Sequence, residues 1–342
     1  MKKNISINSN RALVYTTFTM STDSSDQLKD SIITAVFNGN LEEVIKIIMC
    51  NPTLLTEIYN FSKLRFKGRR MEHGTLLHLL FRDPEYPEEY SDQAYDNLIP
   101  IADFLIYKGA KLNVLDSEGF SVLYRAIVSN HGDVIAFLID KGADIEEERR
   151  GHTPLTFACT QNRIAPINFL LEKKANPNHL WDGKYSSLYY VCEVADFQDE
   201  LVRLLLKSGA NPQLGVSPLF AGESTSFKTL NCKSVEMMLA HGLNVNQTDN
   251  EGYSSLFALI KTKNAPVLRL LLDKVPALNV SCKNKDGQTP AQMVSQLLAL
   301  VKLPSPPLVE MSPEDSLKWN QQYTKTKTFM EEWIAILQQL FK

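Results

Sequence analysis

Short leucine-rich stretches recur along the chain, and each is bounded by residues that start or stop helices. The first stretch of a pair follows a serine or threonine, often with proline beside it, as in Gly151-His-Thr-Pro-Leu155. A hydroxyl side chain caps a helix, and proline fits the first turn. The second stretch ends near Lys-Gly-Ala, where glycine suits a left-handed C-cap. The pattern therefore predicts pairs of short helices joined by turns.

The pairs return at a nearly constant distance. The leucine near the start of each first helix is found at Leu77, Leu123, Leu155, Leu188, Leu219 and Leu256. Successive differences are 46, 32, 33, 31 and 37 residues. They cluster around a repeat of about 33 residues. Turn-rich strings such as Asp116-Ser-Glu-Gly119 follow the second helix and predict projecting β-hairpins.

Two repeated motifs carry a family resemblance. They are represented by Gly119-Phe-Ser-Val-Leu-Tyr124 and by Phe137-Leu-Ile-Asp-Lys-Gly-Ala-Asp144. At these residues the chain resembles the ankyrin-repeat family, whose repeat reads T-P-L-H-x-A and then L-L-x-x-G-A. The resemblance covers about residues 72–301, with a divergent repeat at 27–56. It implies an all-α ankyrin-repeat solenoid of helix pairs with β-hairpin fingers, whose concave surface of fingers and first helices binds partners.

Composition and motifs divide the chain into four segments. Residues 1–25 are rich in serine, threonine and asparagine and are expected to be a flexible N-terminal segment. Residues 26–301 form the ankyrin-repeat domain of about seven repeats, the first divergent, with an insert at 81–97. A Pro-rich linker at 302–312 precedes a capping helix at 313–342.

The C-terminal helix is predicted from its cap and its apolar spacing. Ser312-Pro-Glu-Asp315 combines a serine cap, proline in the first turn and acids near the positive end of the helix dipole. Apolar residues follow at helical spacing at Trp319, Tyr323, Met330, Trp333, Ile334, Leu337 and Phe341. We expect this face to cover the open end of the repeats. The alternative is a free partner-binding helix or a secretion signal.

Composition excludes several classes of protein. Hydrophobic residues make up 44% and charged residues 22%, as in a globular chain, and no stretch is long and apolar enough to span a membrane. The net charge of -3 gives no overall attraction to nucleic acid. Five scattered cysteines without a CxxC pair, and the lack of a signal peptide, favour a reducing compartment. We expect a cytoplasmic monomer.

A search for catalytic chemistry finds none. The sequence has no phosphate-binding glycine loop, no hydrolase nucleophile motif and no histidine or cysteine at metal-ligand spacing. His78 occupies the histidine position of the ankyrin motif, and Cys159 and Cys192 occupy its small-residue position. These three residues are expected to be structural. We therefore expect a non-enzymatic protein without metal or cofactor.

Candidate binding residues lie on the predicted fingers and first helices. The finger His179-Leu-Trp-Asp-Gly-Lys-Tyr185 carries Trp181 and Tyr185, and aromatic anchors dominate interface energetics. The further candidates on fingers and first helices are Arg149, Arg150, Arg125, Arg163, Glu193 and Tyr253. The predicted partner is another protein, of unknown identity. The alternative for Trp181 is that its ring packs on the adjacent finger.

Two irregular segments offer further surfaces. The insert at 81–97 interleaves acids with aromatic residues, among them Tyr86 and Tyr90, and so suits a basic partner or is a solvated loop. Residues 63–70 carry five basic residues in eight. This segment is the basis of an alternative function, the binding of nucleic acid or anionic lipid. The other interpretation of the segment is a solvated hairpin without a binding role.

Two weaker hypotheses come from resemblance. Asn113, Asn178 and Asn246 resemble the hairpin asparagines that eukaryotic hydroxylases modify in ankyrin proteins, although asparagine also stabilises such turns. The degenerate repeats, the insert and the added C-terminal helix are similar to those of ankyrin-repeat effectors that intracellular bacteria deliver into host cells. That resemblance implies action in the host cytosol.

Overall fold

The structure is a computed structural model, which describes residues 24–61, 72–81, 96–194, 198–220, 230–248, 254–301 and 313–340. The described residues are mostly helical, which confirms the predicted all-α class. The α-helices are α1 (Ser24–Phe37), α2 (Leu41–Cys50), α3 (Leu76–Leu80), α4 (Leu98–Tyr107), α5 (Val122–Val128), α6 (Gly132–Asp140), α7 (Pro154–Thr160), α8 (Ile164–Glu172), α9 (Ser187–Val194), α10 (Gln198–Lys207), α11 (Cys232–Ala240), α12 (Ser255–Lys261), α13 (Ala265–Lys274), α14 (Pro290–Leu300) and α15 (Pro313–Leu340). Single 3-10 turns lie at Pro52–Thr56 and Pro218–Phe220.

Contacts divide the chain into two compact units, and the first is Met1–Ser129. In this unit α1 packs against α2 and α3, and α3 packs against α4 and α5. Strands β1 (Tyr59–Asn60) and β2 (His73–Gly74) pair antiparallel, with Tyr59 opposite Gly74. The apolar side chains of these helices form one buried core.

The second unit, Asn130–Lys342, is built from successive helix pairs. The pairs are α7 with α8, α9 with α10, and α12 with α13. Each first helix also contacts the first helix of a neighbouring repeat, as α7 contacts α9 and α12 contacts α14. The second helices stack in the same way, with α6 against α8 and α10 against α11. Stacking of this kind buries a continuous core that no single repeat could form.

The predicted caps define the ends of these helices. The hydroxyl of Thr153 accepts a hydrogen bond from the Thr156 amide at the start of α7. Thr289 and Gln292 form a reciprocal capping box at the start of α14. Second helices end at residues with positive φ, such as Gly142 at 97°. Lys174 takes this position after α8 with φ of 71°, a conformation that side chains other than glycine adopt at a cost.

Short turns form the fingers between successive pairs of the second unit, with two residues between Arg149 and His152 and three between Trp181 and Tyr185. Arg149 bridges His152 and Trp181 bridges Tyr185 in antiparallel fashion. The turn residues Arg150-Gly151 and Asp182-Gly183 all have positive φ. This conformation matches the right-handed twist of hairpin strands and explains the glycine in both turns. The observed fingers agree with the hairpins predicted from the turn-rich strings.

The C-terminal helix α15 packs against α13 and α14 through its last turns. Trp333 is fully buried, and Ile336 and Leu340 are buried with it. The sequence prediction placed Ile334 on this face, which is wrong, because its side chain is 42% exposed. Residues 333, 336 and 340 are three and four apart and share one helix face, whereas residue 334 points about 100° away from 333.

Several predicted features lie outside the described residues. These are most of the insert at 81–97 with Tyr86 and Tyr90, the basic segment 63–70, Tyr253 and the linker at 302–312. The first helix of the fifth repeat is described only at its 3-10 turn. None of the described helices is both long and apolar enough to cross a membrane.

Candidate functional site

The finger around Trp181 packs on the finger before it. The Trp181 indole stacks on the His152 imidazole with ring centroids 5.1 Å apart and planes inclined by 7°. Its Nε1–H donates a hydrogen bond of 3.0 Å to the Arg150 carbonyl oxygen. The Nε2 of His179 lies 2.9 Å from the Gly151 carbonyl oxygen, as a donor would. The contact proposed as the alternative role of Trp181 is therefore present, and the indole remains half-exposed.

Aromatic rings continue from this finger onto helix α9. Tyr185 contacts Trp181 at a centroid distance of 5.6 Å and Tyr189 at 4.8 Å. Tyr190 lies 6.2 Å from Trp181 and 5.9 Å from His152. We call these five residues the aromatic cluster. Tyr185 and Tyr189 are half-exposed and Tyr190 is nearly buried, so the cluster joins an accessible aromatic surface to a packed base.

Helix positions explain how the cluster forms. Tyr189 and Tyr190 lie in the first turn of α9, directly after the finger that carries Trp181 and Tyr185. Ser186 caps this turn, because its hydroxyl accepts a hydrogen bond from the Tyr189 amide at 3.2 Å. The sequence prediction singled out Trp181 and Tyr185 and missed the other three members. The run Tyr189-Tyr190 in the first helix was the signal that could have added two of them, whereas the sequence held no such signal for His152.

Burial dominates the electrostatics of the cluster. It raises the pKa of the Tyr190 hydroxyl, and the nearby Glu193 carboxylate raises it further. Burial also lowers the pKa of His152, with a smaller contribution from His179, which keeps the stacked imidazole neutral. Glu193 lies on α9 as predicted, and its own pKa is raised by burial.

The two candidate arginines of the preceding finger differ in their surroundings. Arg149 is half-buried and forms an ion pair of 3.2 Å with the buried Glu147. Arg150 is exposed at the turn, and its backbone carbonyl is the acceptor for Trp181. Arg150 is therefore adjacent to the aromatic cluster, whereas Arg149 is held by its own finger.

Arg125 lies on a first helix as predicted, but its guanidinium is not a surface group. The residue is 4% exposed, its Nε pairs with Asp116 at 2.5 Å and its Nη2 pairs with Glu118 at 2.8 Å. The guanidinium also lies over the Phe120 ring at 5.2 Å. The prediction that Arg125 binds a partner is corrected here, because the side chain ties the turn at 116–120 to helix α5 instead.

Arg163 was expected on a first helix, and this placement is wrong. It is the N-cap residue of the second helix α8, in the turn that follows α7. Its amide donates to the Ala158 carbonyl at 3.1 Å, which closes the end of α7. Arg163 thus lies at the opposite end of its helix pair from the finger, away from Trp181.

The asparagines proposed for modification link successive repeats. Asn178 donates from Nδ2 to the Gly209 carbonyl at 2.9 Å and accepts at Oδ1 from the Asn211 amide at 2.8 Å. Asn246 repeats this pattern with Ala277 and Asn279. Asn113 is exposed. Modification of the three asparagines stays a prediction, and at Asn178 and Asn246 the turn-stabilising alternative has a structural basis.

The residues expected to be structural are buried. His78 Nδ1 accepts from the Thr75 amide at 3.2 Å, and its Nε2 lies 3.1 Å from the Phe120 carbonyl. Burial raises the pKa of Cys159 to about 12 and that of Cys192 still higher, so both thiols stay protonated. The described residues contain no group of three or more histidine, cysteine or acidic side chains that could hold a metal ion.

Comparison with known proteins identifies the repeats. A family model described as ankyrin repeats, in three copies, matches residues 93–180. The putative ankyrin repeat protein FPV031 of fowlpox virus is 27% identical over 153 residues, which are 43% of this chain and 37% of that protein. Palmitoyltransferase Hip14 of Drosophila melanogaster is 26% identical over 193 residues, 56% of this chain and 30% of that protein. The chain thus spans about a third of the length of these relatives.

A solved structure supports the same fold. The ankyrin repeat domain of Bcl-3 matches 64% of this chain and 93% of its own length, with a TM-score of 0.50 and 24% identity. Helix pairs with the repeat distance, the capping residues and the fingers described above are what such repeats require. Residues 93–180 are therefore ankyrin repeats, and the described helix pairs have the fold of an ankyrin-repeat solenoid.

Proposed function

We propose that this protein is a non-enzymatic scaffold that binds another protein through the aromatic cluster and the fingers beside it. Ankyrin-repeat domains generally act as scaffolds for protein interaction. The observation that carries the proposal here is the set of half-exposed rings of Trp181, Tyr185 and Tyr189 on one finger and the helix after it.

Physical chemistry supports such a role for these rings. Tryptophan and tyrosine are enriched among the residues that dominate binding energy, because they bury a large area with few rotatable bonds. The contacts of Trp181 with His152 and the Arg150 carbonyl hold its ring in place before any partner arrives. A preorganised aromatic surface loses little conformational entropy on binding.

The absence of catalysis is part of the proposal. Cys159 and Cys192 are buried with raised pKa values, and a protonated, inaccessible thiol is not a nucleophile. The match to the palmitoyltransferase covers 30% of that protein's length. The transferase activity is therefore a property of that relative. A cytoplasmic site of action, including a host cytosol, is the setting in which such a scaffold would work.

The experiment compares protein capture by three forms of the full chain. The amount of each protein that the wild type retains should fall at least tenfold with Tyr185→Ala. This corresponds to a loss of about 1.4 kcal/mol or more in the free energy of binding. Tyr107→Ala is the matched control, because Tyr107 is 81% exposed on α4 and lies outside the cluster. Circular dichroism verifies that both variants are folded. Equal retention by all three forms would contradict the proposal.

The Trp181→Ala, Tyr185→Ala double variant extends the same experiment. It removes the two anchors predicted from the sequence, and a loss of more than tenfold is expected if the proposal holds. Since Trp181 also joins two fingers, the double variant is compared at a temperature where it remains folded. Retention of the captured proteins by a folded double variant would exclude these residues as anchors.

The basic segment 63–70 provides the competing function. Binding of nucleic acid or anionic lipid there would weaken steeply with salt and would disappear when the five basic residues are reversed in charge. Capture that shows this behaviour, and that is insensitive to Tyr185→Ala, would favour the competing function over the aromatic cluster.

A further inference from the structure

A carboxylate lies at the edge of the aromatic cluster. Glu193 is four residues after Tyr189 and three after Tyr190 on helix α9. Residues at these spacings are neighbours on a helix surface. The Glu193 carboxylate is also close enough to the Tyr190 hydroxyl to raise its pKa, second only to the effect of burial. One negative group therefore borders the rings of Tyr189 and Tyr190.

The described surroundings of this carboxylate provide no compensating cation. Glu193 is half-buried, and burial raises its pKa. Within the described part of the chain, no hydrogen-bond donor or cation is paired with its carboxylate. A carboxylate that has lost water without gaining a partner is costly, and a bound cation or donor would remove that cost.

Two other carboxylates near the finger are paired with cations. Asp182 at the finger turn lies 3.7 Å from Lys184, and both side chains are largely exposed. Glu147 of the preceding finger pairs with Arg149. Glu193 differs from these two acids because no described residue pairs with its carboxylate, and the complementary partner group is positive.

The rings favour the same kind of group. A cation over the face of tryptophan or tyrosine, within about 6 Å of the ring centre, is attracted by the ring quadrupole. The planar guanidinium of arginine also stacks on aromatic faces and bonds a carboxylate through two parallel N–H groups, which the ammonium of lysine cannot do. Rings and carboxylate side by side therefore match arginine best.

We propose that Tyr185, Tyr189 and Glu193 bind an arginine side chain presented by the protein partner. The proposal rests on the proposed function, since it names the chemical group that the scaffold recognises. The guanidinium would stack on the half-exposed rings of Tyr185 and Tyr189, which lie above the buried Tyr190, and form an ion pair with the Glu193 carboxylate.

The test uses the full chain labelled with ¹⁵N, in which the Trp181 indole signal is identified by its loss in Trp181→Phe. Blocked pentapeptides Gly-Gly-X-Gly-Gly are titrated, where X is arginine, lysine or the uncharged analogue citrulline. The arginine peptide should shift the indole signal in a saturable way, because the indole contacts Tyr185. The lysine peptide should bind about fivefold more weakly, and citrulline should not bind measurably.

Two variants with the same chemical change assign the binding to Glu193. Glu193→Gln should weaken arginine binding about fivefold or more. Glu200→Gln should leave it unchanged, because Glu200 is an exposed acid on the next helix. No shift with arginine, equal shifts with citrulline or lysine, or equal binding by Glu193→Gln would each overturn the proposal.

The outcomes also separate this inference from the proposed function. If Tyr185→Ala abolishes protein capture while arginine peptides do not bind, the surface recognises a different group and only the inference fails. If the arginine peptide binds as expected but Tyr185→Ala captures the same proteins as the wild type, the proposed function fails.

Discussion

The Trp181 indole donates its N–H to the Arg150 carbonyl oxygen across two successive fingers, at 3.0 Å. Arg150 has a positive φ of 51° in its turn, which the hairpin requires at both turn positions. One hydrogen bond thus connects the shape of one finger to the ring that the next finger presents.

We expect Trp181→Phe to lower the free energy of unfolding by about 1 kcal/mol, because it removes this hydrogen bond and keeps most of the ring stacking. Urea denaturation followed by circular dichroism measures the change. Phe157→Leu is a control for the loss of an aromatic contact to His152 without loss of the bond. A Trp181→Phe variant as stable as the wild type would show that the bond contributes nothing.

Asn178→Ala is expected to destabilise the second unit by about 1–2 kcal/mol, because it removes two hydrogen bonds to the next repeat. Asn113→Ala is the matched control, since Asn113 is exposed at the equivalent place in its own repeat. The difference between the free energies of unfolding of the two variants, obtained by urea denaturation, measures the contribution of the Asn178 hydrogen bonds. Equal effects would contradict this role of Asn178.

Arg125→Ala should lower the free energy of unfolding by about 3–5 kcal/mol, because it leaves the buried Asp116 carboxylate without its cation. Arg150→Ala, at an exposed turn, should change it by no more than about 0.5 kcal/mol. Thermal and urea denaturation of both variants provide the measurement. A mild effect of Arg125→Ala would restore Arg125 as a candidate surface residue.

The adjacent residues Trp333 and Ile334 test the orientation of α15. Trp333→Ala should lower the free energy of unfolding by about 3–5 kcal/mol, because the ring is fully buried against α13 and α14. Ile334→Ala should cost within about 0.5 kcal/mol, because that side chain faces solvent. Reversed effects in denaturation experiments would show that the sequence-based assignment of the apolar face was right.

His78 makes the first unit sensitive to acid. Burial lowers its pKa from 6.5 to about 4, and its Nδ1 accepts from the Thr75 amide, so the folded state favours the neutral ring. The contribution of the neutral His78 ring to the free energy of unfolding is complete above pH 6.5 and is lost as the pH falls towards 4. NMR titration of the His78 ring should give a midpoint near 4. A midpoint above 6 would exclude this origin of acid sensitivity.

The fold could be predicted well because ankyrin repeats are encoded locally. Serine or threonine caps, proline in first turns and glycine after second helices mark the helix ends, and the observed helices begin and end beside them. For the same reason, the local sequence pattern was enough to place Trp181 and Tyr185 on a finger. Arg125 was placed on the correct helix, but the repeat pattern does not show whether an arginine side chain turns inward to a buried acid. Arg163 was misplaced because the pattern defines the helix ends only approximately, and this residue lies in the turn between the two helices.

Contacts between repeats were the part that the sequence could not supply. The stacking of His152 on Trp181 joins residues 29 apart, and the bonds of Asn178 reach residues 31 and 33 further on. Such pairs depend on the rotation between repeats, which is set by the packing of all their helices. The burial of Tyr190 and the half-burial of Glu193 follow from the same packing and required coordinates.

The bonds of Asn178 and Asn246 have a consequence for how this protein would come apart under load. Each side-chain amide bonds only to the repeat that follows it. A force along the array therefore acts on one interface between repeats at a time. We expect such an array to open in steps from an end, because each repeat contacts only its neighbours.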